Sequence, residues 1–274
     1  MTNWRILDSG AGAPAWNMAV DEAIRDGVLR GDSPPTVRFY GWSPPAVSIG
    51  YHQEAEKEVD MERLVAHGWS FVRRPTGGRA VLHRDEVTYA VIAPIESMLG
   101  GSVNESYAAI SEALACGLRL LGVQAELQRG SLSAASQREA ANPCFSSTSR
   151  FELSVDGRKI VGSAQMRKDG VLLQHGSILL AHDQSAMAWL LPSLDDARRQ
   201  RVEAYLGRKT VSVVQASGRN VSYDEAVQAL KGGFQQTWAG CEFEISGELQ
   251  AAERFAAFDR VRMRYGTDAW NWRK

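Results

Sequence analysis

Hydrophobic and polar positions recur along this chain with two periods, and the changes of period mark its elements. Over residues 14–30, Met18, Ala19, Ala23 and Ile24 share one stripe with Asp21, Glu22 and Arg25 opposite, the 3.6-residue spacing of an amphipathic helix. Short β-prone runs at 37–40 and 46–50, separated by Ser43-Pro44-Pro45, predict two strands and a tight corner. A short helix over 59–67 ends at Gly68, and strands follow at 69–73, 79–83 and 86–93 around a Pro-Thr-Gly-Gly turn. The Ala- and Leu-rich segment 102–121 predicts a long helix closed by Gly122.

Periodicity is lost over 128–143, a loop of Ser, Ala, Gln and Asn long enough to be functional, which delivers the chain to Cys144. Three alternating runs follow at 151–155, 158–167 and 171–180, joined by Asp156-Gly157 and Lys168-Asp169-Gly170. Asp-Gly between β-prone runs is a strong hairpin signal, so these runs predict an antiparallel three-stranded meander. Helices are expected at 195–206, 223–238 and 249–264, with a short strand at 242–245. Hairpins interleaved with helices predict an α/β chain of the α+β type, with a mixed or mainly antiparallel sheet flanked by helices.

Composition narrows the function classes. A chain of 274 residues, 44% hydrophobic, can bury a substantial core without disulfides. Its 31 basic and 32 acidic side chains leave a net charge of −1, which gives no overall field for a nucleic acid. No apolar run is long enough for a membrane span and the start lacks the pattern of a secretion signal, so a cytoplasmic location is expected. Cys116, Cys144 and Cys241 are too few and too scattered for a disulfide framework, and no paired Cys or His spacing suggests a metal.

Three constellations carry candidate chemistry. In Arg73-Arg74-Pro75-Thr76-Gly77-Gly78-Arg79-Ala80-Val81-Leu82-His83, paired glycines let backbone N–H groups approach a ligand while guanidinium groups meet negative charge. The alternative is a plain hairpin turn with exposed arginines; three arginines and a histidine around the pair favour a binding loop. In the second, Gly157-Arg158-Lys159-Ile160-Val161-Gly162-Ser163-Ala164-Gln165, a strand places Lys159, Val161, Ser163 and Gln165 on one face, either a ligand floor or a solvated surface. Third, Cys144 ends the polar loop just before the lysine strand, whereas Cys116 lies in an apolar helix. An ammonium near a thiol lowers its pKa from ~8.5 and raises its nucleophilicity. His175, in Gln174-His175-Gly176-Ser177, is placed to line the same pocket as His83.

Together with the ending Tyr265-Gly-Thr-Asp-Ala-Trp270-Asn271, the order and spacing of these motifs resemble the superfamily of lipoate-protein ligases, octanoyltransferases and biotin-protein ligases over nearly the whole chain. The resemblance implies a biotin/lipoate-ligase-like catalytic domain, one large and one smaller sheet around an acyl tunnel, with Lys159 at the acyl carbonyl. It implies one catalytic domain over 1–274, with a core over about 31–246 and a helical segment over 247–274. Arg73, Arg74, Gly77, Gly78, Arg79, His83, Gly162, Ser163, Ala164, Gln165, His175 and Gly176 are the implied substrate-binding residues, and Cys144 and Lys159 the catalytic pair.

Within the superfamily the pattern favours a transferase over an ATP-dependent ligase. Arg79 stands where the ligases have a third glycine, and Arg84-Asp85-Glu86 follows His83 where they have Asp leading into Gly-Asn. Cys144, fifteen residues before Lys159, stands where the ligase-like octanoyltransferases carry their acyl-thioester cysteine. The accessory domain that many ligases append is not expected here, since the sequence given runs only a little past the last motif. The expected reaction moves octanoyl from an acyl carrier protein through Cys144 to a lysine of a lipoyl domain, such as the glycine-cleavage H protein. A thioester is already activated, so no cofactor is expected. At ~0.8 kcal/mol per buried CH₂, the chain would contribute on the order of 5 kcal/mol to binding. An ATP-dependent ligase, a lipoyl-domain amidotransferase and a non-catalytic acyl-binding relative are the alternatives. A monomer is expected.

Overall fold

Local signals of helix and turn translate directly into elements in the computed structural model, which describes residues 3–128 and 152–273. The first long helix is Pro14–Arg30, started by proline and stopped by Gly31 at φ +79°, a left-handed backbone open to glycine. The second, Val103–Leu120, is closed at its N-terminus by a reciprocal Ser102–Glu105 capping box. Both Asp-Gly pairs take positive φ at both residues, Asp156 and Gly157 at 50° and 74° and Asp169 and Gly170 at 54° and 80°, as two-residue hairpin turns require.

The strands are β1 (Asn3–Gly12), β2 (Thr36–Trp42), β3 (Ala46–Ile49), β4 (Ser70–Arg73), β5 (Val81–His83), β6 (Glu86–Pro94), β7 (Glu126–Gln128), β8 (Glu152–Val155), β9 (Arg158–Lys159), β10 (Val161–Lys168), β11 (Val171–Leu179) and β12 (Glu242–Ser246). Six of them form a mixed sheet in the order β10-β11-β6-β2-β1-β12. β1 runs parallel to β2 and β12, while β2, β6, β11 and β10 pair antiparallel. Two three-stranded sheets, β4-β3-β5 and β7-β8-β9, complete the architecture, so there are two smaller sheets where one was expected.

Alternation along the large sheet separates two cores. Trp4, Phe39, Tyr89 and Val91 face the Val103–Leu120 and Tyr223–Thr237 helices with Leu114 and Phe234. Leu7, Tyr40, Ala90, Ile92 and Leu173 face the Pro14–Arg30 helix on the other side. A third core lies between the β4-β3-β5 sheet and the segments Ser185–Leu190 and Asp196–Lys209, around Val47, Leu82, Met187 and Leu206.

Three expectations are corrected. Asp21, Glu22 and Arg25 are all buried, because the Pro14–Arg30 helix is covered on its polar side as well. The continuous meander is two hairpins in different sheets: β8 and β9 pair in one and β10 and β11 in the other. The chain changes sheet at Ile160, whose N–H donates to Leu153 O while its carbonyl accepts from Leu179 N–H. The helix expected over 249–264 is α-helical over Ala251–Arg260 and then widens into a π-helical turn, Val261–Tyr265. β1, which no periodicity announced, is an interior strand of the large sheet, between β2 and β12.

Candidate active site

A cavity of about 180 Å³ opens where β10 and β11 meet the glycine loop and the β8–β9 hairpin. Its floor is made by small residues. Gly162 and Ala164 on β10 stand opposite Ser177 and His175 on β11, and all four line the cavity. Gly176 also lines it, and a methyl group there would lie 2.4 Å from the Gly162 carbonyl and 2.8 Å from the Tyr89 ring. Ser163 borders the cavity, but its hydroxyl accepts from Tyr89 OH at 2.7 Å on the other face of the sheet. Gln165 does not line the cavity; its Nε2 donates to Gln174 Oε1 and Ser106 Oγ. The face expected to carry Lys159, Val161, Ser163 and Gln165 together is thus divided by the crossing at Ile160.

The glycine loop is held from beneath by its own arginines. Arg73 is almost wholly buried and does not line the cavity. Its Nε donates to Trp270 O, its Nη1 to the carbonyls of Gly50, Tyr51 and Gln53, and its Nη2 to Asn271 O and Arg273 O. Five guanidinium donors with carbonyl partners make this a structural anchor. Arg74 lines the cavity while donating to Ser48 O and Oγ and to the carbonyls of Gly77 and Arg79. Gly78, at φ +93°, and Arg79 line the cavity; Gly77 does not.

Both expected histidines line the cavity, each tied at both ring nitrogens. His175 Nε2 meets Thr76 Oγ1 at 2.7 Å and its Nδ1 meets Asp21 Oδ2 at 3.3 Å. His83 Nε2 meets Ser48 Oγ at 2.7 Å and its Nδ1 meets Glu86 Oε1 at 3.4 Å. A carboxylate only accepts, so each Nδ1 donates to its carboxylate. Burial works to raise the Asp21 pKa, but the Arg38 guanidinium at 2.7 Å and the His175 hydrogen bond together hold it below the ordinary carboxylate value. Burial lowers the His83 pKa against the opposing pull of Glu86. The His83 ring also stacks on Trp42, centroids 4.0 Å apart. The two imidazoles therefore act as walls.

Lys159 lines the cavity, and its Nζ donates to Glu152 Oε1 at 2.6 Å. Its backbone is fixed on both sides: it pairs with Ser154 across the hairpin, and its carbonyl accepts from Val211 N–H at 3.0 Å. Cys144 lies outside the described residues. Sequence reasoning missed Glu152, Asp21, Ser48, Trp42 and Thr88. Glu152 had a signal, since a two-residue turn at Asp156-Gly157 puts residues 154 and 159 opposite one another and 152 on the same strand face; Trp42 had none.

The model of the lipoyl protein ligase A/B catalytic domain matches residues 13–235, a span that includes every described residue lining this cavity. The chain belongs to the lipoyl protein ligase A/B catalytic-domain family. Among relatives within this family, the octanoyltransferase LipM of Kyrpidia tusciae is 48% identical over 280 residues, covering 100% of each chain. The octanoyltransferase LipM of Symbiobacterium thermophilum is 44% identical over 279 residues, covering 100% of this chain and 99% of that one. A bipartite lipoate protein ligase from Thermoplasma acidophilum, from a structural study that includes its E2 lipoyl domain, superposes with a TM-score of 0.80 at 26% identity over 100% of this chain and 98% of that one. This lipoyl protein ligase A/B family member shares that fold, with its mixed sheet flanked by helices. No helix among its described residues is long and apolar enough to cross a membrane.

Proposed function

We infer that this chain is an acyltransferase of lipoate biosynthesis that transfers an octanoyl group to a lipoyl-domain protein. The observation that carries the reading is full-length likeness, 48% identity end to end, to an octanoyltransferase. The cavity supports it. Small residues floor it, histidine faces wall it, and Lys159 stands at its side. The two arginines that open the glycine motif donate to backbone carbonyls, which favours a loop shaped for an acyl carbonyl over one whose guanidinium groups grip phosphates.

In this reading octanoyl-acyl carrier protein is the donor, Cys144 takes the acyl group as a thioester, and a lysine of a lipoyl domain such as the glycine-cleavage H protein accepts it in the cytoplasm. Thiol-to-thioester exchange is close to thermoneutral, so no nucleotide is consumed. Lys159 serves twice, favouring the Cys144 thiolate and polarising the acyl carbonyl. We propose that residues 1–274 act as one catalytic unit, because Trp270, Asn271 and Arg273 supply carbonyls to the Arg73 anchor beneath the glycine loop. Intact-mass analysis with octanoyl-carrier protein and no nucleotide tests the reading: a hydroxylamine-labile octanoyl adduct is expected, absent in Cys144→Ala. Full activity in that variant would remove Cys144 from the reaction, and pyrophosphate release dependent on free octanoate and Mg-ATP would replace the transferase with a ligase.

A further inference from the structure

Glu152 is the one carboxylate among the described residues lining the cavity, where Arg74, Arg79 and Lys159 bring positive charge. Its Oε1 lies 2.6 Å from Lys159 Nζ, with both side chains largely buried. The pair is fixed by strand register: Lys159 stands opposite Ser154, and Glu152 follows two residues along on the same face of β8. Asp21 and Glu86 do not line the cavity. Asp21 is held by Arg38 and His175, and Glu86 by Thr88 and His83.

The two halves of an acyl transfer make opposite electrostatic demands. Loading a thiol gains from a nearby cation, which favours the thiolate. Unloading onto a lysine brings in a second cation, since an ordinary lysine stays protonated up to ~10.4. A cavity lined by cations repels it, most strongly where water is excluded.

Resting on the transferase reading, we propose that Glu152 is the charge-compensating residue that admits a cationic acceptor, offsetting the Lys159 ammonium so that a primary alkylammonium can approach, give up a proton to solvent and attack the thioester carbon as the neutral amine, the C–S bond breaking as the C–N bond forms and the departing thiolate taking up the second proton. The ion pair sets acceptor class as well as lysine position. Glu152 acts through Lys159 and through the field in the cavity, so it is a positioning residue, and its removal moves the two half-reactions in opposite directions.

The test uses the full chain, octanoyl-carrier protein and a lipoyl-domain acceptor, comparing wild type with Glu152→Gln and Glu152→Asp. In Glu152→Gln the reactive thiol should alkylate about threefold or more faster at pH 7, because the Glu152 carboxylate no longer faces the Lys159 ammonium. Single-turnover transfer from the loaded enzyme to the lipoyl domain should fall about tenfold or more, mainly through the acceptor KM. Discharge by hydroxylamine, an amine already neutral at pH 7, should lose at least about fivefold less than discharge by the lipoyl domain. Glu152→Asp should recover part of the lysine transfer. Equal losses toward the charged and the neutral amine, or slower thiol alkylation, would make Glu152 a structural brace and overturn the inference. Wild-type enzyme that takes up no acyl group overturns the transferase reading and this inference with it, whereas a loaded enzyme indifferent to Glu152→Gln overturns the inference alone.

Discussion

The α-carbon of Gly50 lies so close to the Gly78 carbonyl that a methyl group built on it would sit 2.0 Å from that oxygen. The end of β3 and the glycine loop are in backbone contact, and Arg74 locks the contact by donating to Ser48 O on one side and to Gly77 O and Arg79 O on the other. The glycines of this loop therefore carry different burdens. Gly78 needs its positive φ, and a Cβ there would stand 3.0 Å from Arg74 Nη2, whereas a Cβ on Gly77 would meet nothing within 4 Å. Gly50→Ala and Gly78→Ala should each cost about 1–3 kcal/mol, by overpacking and by backbone strain. Gly77→Ala should stay within about 0.5 kcal/mol. Urea unfolding beside acyl-adduct formation measures all three; a Gly77→Ala as damaged as Gly78→Ala would refute this ordering.

Arg73 predicts a change in stability rather than in chemistry. Lysine offers three donors on a flexible stem where the guanidinium presents five in a fixed fork, so Arg73→Lys should leave several buried carbonyls unpaired and cost about 3 kcal/mol. The loss should be local. Hydrogen exchange over 265–273 should rise in the variant well before exchange in β6 or β11 does. Unchanged protection of the C-terminal segment would mean that Arg73 is not its anchor.

Acid should destabilise the fold in two stages. The folded His83 pKa lies below its ordinary value, chiefly through burial. Between that folded value and ~6.5 the unfolded chain binds more protons, so the contribution is complete above ~6.5 and is lost as pH falls through the window. The Asp21 pKa is also lowered, with Arg38 and His175 outweighing burial. Its contribution is complete above ~3.9 and is lost as pH falls further, through its folded value. His83→Gln should flatten the slope of unfolding free energy against pH just below ~6.5 and leave the lower limb in place. An unaltered upper slope would show that His83 does not carry it.

Lys159 is assigned two separable tasks, and its variants should separate them. Lys159→Ala should slow iodoacetamide reaction at Cys144 at pH 7 by returning the thiol toward ~8.5. It should lose more acyl transfer than the loss of thiolate accounts for. Lys159→Arg should keep part of the thiolate effect and still transfer poorly, since the guanidinium keeps its charge but not the ammonium's point geometry. A Cys144 titration in Lys159→Ala identical to wild type would remove Lys159 from the thiol's surroundings.

What the sequence made legible was local chemistry. Asp156-Gly157 and Asp169-Gly170 marked their turns because type I′ geometry demands positive φ at both positions, and Gly68 and Gly122, both at positive φ just past a helix, marked helix ends through the same kind of local rule. Tertiary facts were hidden. Nothing in residues 158–167 signals that Ile160 passes from one sheet to another, because both sheets impose the same alternation on either side of it. Asp21 looked like a solvated position because a helical wheel records polarity and cannot know that Arg38, Tyr40 and His175 surround it. Similarly, Arg73 and Arg74 are adjacent in one motif, yet strand alternation sends one toward the cavity and the other to the C-terminal segment.

The carbonyl cage around Arg73 also sets a schedule. Its guanidinium and backbone are joined by partners up to 200 positions later in the chain, and β1 pairs in parallel with β12, Asn3 beside Glu242. A polypeptide leaving the ribosome has its glycine motif in hand early and must wait for residues 270–273 before the anchor beneath it can close. Acyl loading should therefore begin only once residues 270–273 have been made and have docked beneath the glycine loop.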